Sequence, residues 1–253
     1  MASFNIVIPA RYGSSRLPGK PLLELAGRPM IVHVCERALE AGGKVFVATD
    51  DQRICDAVSH LPVRAVITRK DHANGSQRIA EVVDRLGWSD DEIIVNLQGD
   101  EPLMRPSLVR HVAAALVDQS VAQVATLAVP IQSRAEVFDP NAVKVVLDRN
   151  GYALYFSRAP IPWHRAGFVE AGALLPDNFP YLRHIGIYAY SAGFLRRYAG
   201  WLPTQLETVE ALEQLRILWY GERILVLPIE DAPEAGVDTE DDLRRVRQIL
   251  STQ

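Results

Sequence analysis

A short apolar run opening directly into a glycine- and arginine-rich loop constrains this chain more than any other feature. Phe4 to Ile8 reads as a buried strand. The loop after it, Ala10-Arg-Tyr-Gly-Ser-Ser-Arg-Leu-Pro-Gly-Lys20, mixes small residues with cations. Small residues let backbone N–H groups approach an anion, and Arg11, Arg16 and Lys20 supply charge to neutralise it. Behind the first strand of an α/β chain, such a loop lies at the carboxyl edge of the sheet, where these folds bind ligands. The stretch therefore reads as a triphosphate cradle. It follows neither G-x-x-x-x-G-K-[ST], because Pro21 comes after Lys20, nor G-x-G-x-x-G, so a P-loop kinase and a dinucleotide-binding dehydrogenase are set aside. A surface loop with solvated charges is the alternative.

The rest of the first half supplies the α/β context. Ile31, Val34, Cys35 and Ala38 form a helical stripe between Pro29 and Ala41. Lys44–Ala48 reads as a strand, and Thr49-Asp50-Asp51 caps a helix to about His60. Val63–Thr68, Ile93–Leu97 and Val124–Val129 read as further strands, alternating with helices over Ser76–Leu86 and Ser107–Asp118. Repeated βα units predict an α/β fold with a mainly parallel central sheet and helices on both faces. After Pro130 the pattern changes. Val143–Leu147 and Tyr152–Ser157 flank an Asn150-Gly151 hairpin signal, and an irregular stretch runs from about Arg158 to Leu182. Helices over Leu206–Tyr220 and Thr239–Leu250 and a strand over Ile224–Leu227 follow. The reading is a single domain over 1–253 with a less regular lobe at about 131–204.

A net charge of −4 argues against a general nucleic-acid or anionic-membrane binder, so any anion site must be a local concentration of cations. The two cysteines, Cys35 and Cys55, fit neither a disulfide framework nor a zinc pattern. No signal peptide fits ahead of the first strand and no apolar run reaches transmembrane length, so a soluble cytoplasmic protein is expected.

Two further segments carry chemistry. Asn96-Leu-Gln-Gly-Asp-Glu-Pro102 leaves the strand ending at Leu97, which puts Gln98, Asp100 and Glu101 at the same edge as the first loop. Carboxylates facing a triphosphate imply a bridging Mg2+, a hard cation held by one or two carboxylates plus phosphate oxygens. Helix-start chemistry is the competing reading there, and it competes again at Asp238, which stands just before the capping pair Thr239 and Asp242. Asn74-Gly-Ser-Gln-Arg78 leads into a helix, where Ser76 and Arg78 could read a base edge. On the strand Arg183–Tyr190, His184, Gly186, Tyr188 and Tyr190 share one face, a wall with room above the glycine for a polyhydroxylated ligand. Glu207, Glu210 and Gln214 fall on one helical stripe, which by spacing alone reads as a solvated face. Arg158 closes a strand at an edge.

The chain resembles the 3-deoxy-manno-octulosonate cytidylyltransferases, or CMP-KDO synthetases. The segments that carry the likeness are Ile8-Pro-Ala-Arg-Tyr12, Ser15-Arg-Leu-Pro-Gly-Lys-Pro-Leu22, Val47-Ala-Thr-Asp50 and Val95-Asn-Leu-Gln-Gly-Asp-Glu-Pro102. They continue through Ala125–Pro130, Asn141–Asp148, Gly151-Tyr-Ala-Leu-Tyr-Phe-Ser-Arg158, Arg183-His-Ile-Gly-Ile-Tyr188, Leu212-Glu-Gln-Leu-Arg216 and Gly236-Val-Asp-Thr239. The opening and Gln98–Asp100 motifs are shared with other sugar nucleotidyltransferases. Tyr-Phe-Ser-Arg and Arg-His-Ile-Gly-Ile-Tyr look specific to this branch.

The resemblance implies a nucleotide-diphospho-sugar transferase-like fold and a homodimer. It implies Mg2+ on Asp100 and Asp238, and transfer of CMP from CTP to KDO with release of pyrophosphate, a step towards lipopolysaccharide. It also implies that Arg11, Lys20 and Asp100 are catalytic, that Ala10, Arg11, Ser15, Lys20, Ser76, Arg78 and Gln98 meet the nucleotide, and that Arg158, His184, Tyr188, Glu207, Glu210 and Gln214 hold the sugar. One departure stands out: the family shows Ser-Gly-Thr-Glu/Asp-Arg where this chain has Asn74-Gly-Ser-Gln-Arg78, so Gln77 lacks a carboxylate. A glycosyltransferase of similar topology would ordinarily carry Asp-x-Asp, which Asp100-Glu101-Pro102 does not form. A silent nucleotide binder would be expected to lose Lys20 or Asp100.

Overall fold

The computed structural model describes residues 3–13, 17–117, 121–168, 174–176 and 179–251. Strands β1 (Phe4–Ala10), β2 (Glu24–Leu25) and β3 (Arg28–Pro29) precede helix α1 (Met30–Glu40). Then come β4 (Lys44–Thr49), α2 (Gln52–Val58), β5 (Arg64–Ile67), α3 (Gly75–Leu86), β6 (Ile93–Asn96) and α4 (Pro106–Ala114). The chain continues through β7 (Val124–Pro130), α5 (Arg134–Phe138), β8 (Lys144–Leu147), β9 (Ala153–Ser157), β10 (Leu182–Ser191) and α6 (Ala192–Ala199). It closes with α7 (Gln205–Glu210), α8 (Gln214–Trp219), β11 (Ile224–Pro228) and α9 (Glu240–Ser251). No helix among the described residues is long and apolar enough to cross a membrane.

These elements form two compact units. One comprises Met1–Val117, Ile187–Gly200 and Pro233–Gln253, the other Asp118–Gly186 and Trp201–Ala232. The second unit differs from the lobe expected at about 131–204: it begins earlier, gives up Ile187–Gly200, and takes in α7, α8 and β11.

In the first unit β1 runs between β4 and β6, parallel to both, and β5 extends the sheet in parallel beyond β4. The later residues of β10 pair with β6 in the antiparallel sense, which makes the sheet mixed. Ile6 and Val7 point to opposite faces and both are fully buried, because helices cover the sheet on each side. That double covering is why the strand reads as a continuous apolar run rather than an alternation. Parallel pairing also brings the carboxyl ends of β1, β4 and β6 together, so the segments starting at Arg11, Asp50 and Leu97 leave one edge.

In the second unit β11 is parallel to β7, while β8 is antiparallel to β9 and to the start of β10. The expected hairpin between β8 and β9 is present. Its turn is held by the Asp148 carboxylate, which accepts from the backbone N–H groups of Asn150 and Tyr152. The single helix expected over Leu206–Tyr220 is instead two, α7 and α8, separated at Ala211, whose φ of 50° and ψ of 50° are left-handed. The apolar period runs through the break, so pattern alone misses it. The physical reason is the buried ion pair of Glu207 with Arg216. In one continuous helix, residues nine apart lie on opposite faces and about 13.5 Å apart along the axis. Only the break lets the guanidinium fold back onto the carboxylate. A left-handed alanine carries strain that glycine relieves. Ala211→Gly is therefore expected to stabilise the protein by about 0.5 kcal/mol, read as a Tm increase of roughly 1–2 °C. A lower Tm would contradict the assignment of strain.

Candidate active site

The cationic loop and the acidic segment meet. Lys20, at the start of a 3-10 turn, places its Nζ 2.6 Å from Asp100 Oδ2 and 3.0 Å from Asp238 Oδ1. Close backbone packing makes this convergence possible. A Cβ on Gly99 would lie 2.9 Å from the Pro9 carbonyl oxygen, and a Cβ on Gly236 would lie 2.9 Å from that of Asp100. Only glycine lets the exit from β6 press against the end of β1, and lets the Gly236–Asp238 segment press against the acidic one. The Val237 N–H then donates to the Asp100 carbonyl at 2.9 Å, and Val237 is buried with Leu17, Leu25 and Met30. Asp238 precedes the reciprocal cap in which Thr239 and Asp242 exchange hydrogen bonds ahead of α9, as the capping pair predicts.

The electrostatics follow from this packing. Burial works against the Lys20 ammonium, yet Asp100 and Asp238 outweigh it and hold its pKa above the ordinary value. Glu101 is pushed up to about 8, first by burial and then by the Asp100 and Asp238 carboxylates. Two hard carboxylate oxygens aimed at one cation, with no third acidic or imidazole ligand among the described residues, suit a magnesium ion that completes its shell with water and phosphate.

Other sequence-assigned residues fall around this edge. Ala10 is buried at the end of β1, and Arg11 is exposed immediately after it. Ser15 lies outside the described residues. Gln98 is half-buried, and a Cβ on Gly75 would come 4.0 Å from its Oε1 and 3.3 Å from Pro9, so the start of α3 packs beside the β1 and β6 exits. Asn74 caps α3 through the Gln77 N–H, and Gln77 Oε1 accepts from Ala73 N–H. An amide oxygen thus fills the cap role open to the missing carboxylate. Ser76 is buried at the same helix start. Arg78 is buried too, and its guanidinium turns inward onto Thr68 Oγ1, the Arg69 carbonyl and Asp50 Oδ2. These bonds tether Arg78 to the segments that follow β4 and β5.

The sugar-assigned residues of the second unit are also largely committed to one another. Glu207 is buried against Arg216, and it reciprocates the cap of Thr204. Glu210 accepts from Ser157 Oγ at 2.5 Å and from Arg158 N–H at 2.9 Å. The Arg158 guanidinium donates to the carbonyls of Glu210, Ala211 and Pro140. Because α7 and α8 are separate, Glu207, Glu210 and Gln214 do not form the expected stripe. Gln214 is buried at the start of α8. His184 Nε2 lies 3.0 Å from Thr126 Oγ1, and burial lowers its pKa to about 3, so the ring stays neutral at physiological pH. A Cβ on Gly186 would meet nothing within 4 Å, which matches the expected open space. In the first unit the rings of Tyr188 and Tyr190 stack 5.6 Å apart.

Asp50, Tyr12, Lys144 and Arg216 were not marked as functional by sequence reading. Asp50 could have been found, since it leaves β4 at the same edge; the two buried cations carry no local signal.

One pH dependence follows from Glu101. A carboxyl with a raised folded pKa stabilises the fold below its unfolded value of 4.5, and that stabilisation is lost as pH rises towards 8. In metal-free protein the Tm should fall between about pH 5 and 8. Glu101→Gln, neutral throughout, should flatten the fall; identical profiles for the two proteins would refute the shift.

Known proteins resemble this chain over nearly its whole length. A cytidylyltransferase family model matches residues 5–224. The 3-deoxy-manno-octulosonate cytidylyltransferase of Methylococcus capsulatus is 61% identical over 99% of this chain and 98% of its own length. That of Yersinia enterocolitica is 57% identical over 98% of each. A CMP:2-keto-3-deoxy-manno-octonic acid synthetase solved in complex with CTP superposes with a TM-score of 0.89 at 43% identity, covering 99% of both chains. A nucleotidyl transferase at 19% identity and a TM-score of 0.62 shares the fold. The chain belongs to the cytidylyltransferase family.

Proposed function

We propose that this chain transfers the cytidylyl group of CTP to 3-deoxy-D-manno-octulosonate, giving CMP-KDO and pyrophosphate. The observation that carries the reading is the convergence of Lys20, Asp100 and Asp238 at the carboxyl edge. Full-length relatives bearing that activity's name, at 61% and 57% identity, support the substrate pair. The anomeric oxygen of the sugar forms a bond to the α-phosphorus, the bond from that phosphorus to the bridging oxygen breaks, and the electron pair leaves with pyrophosphate. Arg11, Ser15 and Lys20 neutralise the charge that builds on the leaving group. Lys20 makes this contact by giving up part of its hold on the two carboxylates.

Asp100 and Asp238 would hold a magnesium ion, which when bound withdraws charge from the α-phosphate oxygens. Ala10, Ser76 and Gln98 meet the nucleoside, and Arg78 supports that wall from behind. His184, Tyr188 and Gln214 are the candidates for direct sugar contact. Arg158, Glu207 and Glu210 belong to the same sugar-binding set, and their side chains already bond within the protein: Glu207 to Arg216, Glu210 to Ser157, and Arg158 to backbone carbonyls. His184 is placed for hydrogen bonding, with its ring nitrogen 3.0 Å from Thr126 Oγ1 and its ring neutral through burial. Two unpaired thiols, Cys35 and Cys55, fit a reducing cytoplasm.

Pyrophosphate release tests the activity. It is expected only with CTP, KDO and Mg2+ together, and not with other nucleoside triphosphates or sialic acid as acceptor. Asp100→Ala should lower turnover at least about 100-fold while leaving the far-UV spectrum unchanged. Release with sialic acid in place of KDO, or full activity in the variant, would refute it. A homodimer belongs to the same reading, supported by the exposed large apolar side chains Leu154, Trp163, Val209 and Trp219 of the second unit. Light scattering on a sizing column should give twice the chain mass, and a strictly monomeric peak would count against it.

A further inference from the structure

Outside the Lys20–Asp100–Asp238 cluster, one carboxylate joins two segments of the first unit. Asp50 Oδ1 accepts from the Tyr12 N–H at 3.1 Å, and Asp50 Oδ2 accepts from Arg78 Nη2 at 3.3 Å. Tyr12 is itself a closure of the phosphate loop, because its carbonyl accepts the Gly19 N–H at 3.2 Å, one residue before Lys20. The same tyrosine is braced from its ring face, where the Arg53 guanidinium lies 3.6 Å from the centroid and is held in turn by Asp51. Arg78 stands on α3, whose first turn is the segment beside Gln98. Its other donors clamp Thr68 and the Arg69 carbonyl at the end of β5. Glu81, one turn further along α3, grips the same connection through Arg69 N–H and His72. A continuous run of contacts therefore leads from α3 through Asp50 and Tyr12 to Lys20.

We propose that Asp50, bridged to Arg78, is a positioning residue that holds the phosphate loop in register with the nucleoside wall. This rests on the cytidylyltransfer reading above. Asp50 touches neither substrate in this scheme: one oxygen fixes where the loop begins, the other ties that point to the helix that carries Ser76. The carboxylate is largely buried, and so is its guanidinium partner, so the link is shielded from the screening that weakens exposed pairs. Its loss should then be felt on the CTP side of the reaction and not on the sugar side.

The test is steady-state kinetics on the full chain with each substrate varied in turn. Asp50→Ala loses a hydrogen bond to a charged group, and kcat/KM for CTP should fall roughly 10- to 100-fold. KM for KDO should stay within about twofold of wild type. Asp50→Asn keeps an acceptor for the Tyr12 N–H and should recover most of the CTP effect. Arg53→Met, at an exposed residue, keeps the question answerable if Asp50→Ala does not fold. It removes only the outer brace on Tyr12 and should raise KM for CTP several-fold in the same direction. The proposal fails if Asp50→Ala matches wild type, if both substrates suffer equally, or if Asp50→Asn is no better than Asp50→Ala. It also fails if, with Asp50→Ala unfolded, Arg53→Met leaves KM for CTP unchanged. Absence of CTP turnover in the wild-type protein would instead overturn the activity itself, and this proposal with it.

Discussion

One ammonium group holds the first unit's chemistry together. Lys20 neutralises two carboxylates that come from 80 and 218 residues away in the chain. Without a cation between them, Asp100 and Asp238 would repel each other at an edge where Glu101 is already driven towards its neutral form. The arrangement depends on sterics as much as on charge, since Gly99 and Gly236 are the positions where backbones approach too closely for any side chain. The edge is thus built for a cation to sit between carboxylates.

The second unit solves a different electrostatic problem. Glu207 and Glu210 stand one turn apart on α7, two carboxylates on one short helix. Arg216 pairs with the first, while Ser157 and the Arg158 backbone saturate the second. Lys144, buried and bonded to the carbonyls of Asp139 and Arg158, braces the same corner, with its pKa lowered by burial. Carboxylates compensated in this way serve as scaffolding that fixes backbone positions.

Much of the fold was legible because parallel strands covered on both faces leave a strong apolar signal, and because turn chemistry at Asp148–Gly151 and capping chemistry at Thr239–Asp242 are local. The meeting of the loop with the Gln98–Asp100 segment was legible for a topological reason: in an α/β sheet, segments that follow parallel strands leave the same edge. The break between α7 and α8 was not legible, since it is caused by a pairing across nine residues that the helical period does not encode. The inward turn of Arg78 was likewise hidden, because its partners Asp50, Thr68 and Arg69 lie in the segments that follow β4 and β5.

The chain's own order of residues determined which elements form, where a cationic loop and an acidic exit stand relative to their strands, and to which family the chain is related. Those properties depend on neighbours close in sequence, or on a repeating unit with only a few ways to pack. Tertiary structure alone decided which charges face one another and which are spent inside the protein. Such pairings are set by distances between segments far apart in the chain, and a string of residues contains no distances.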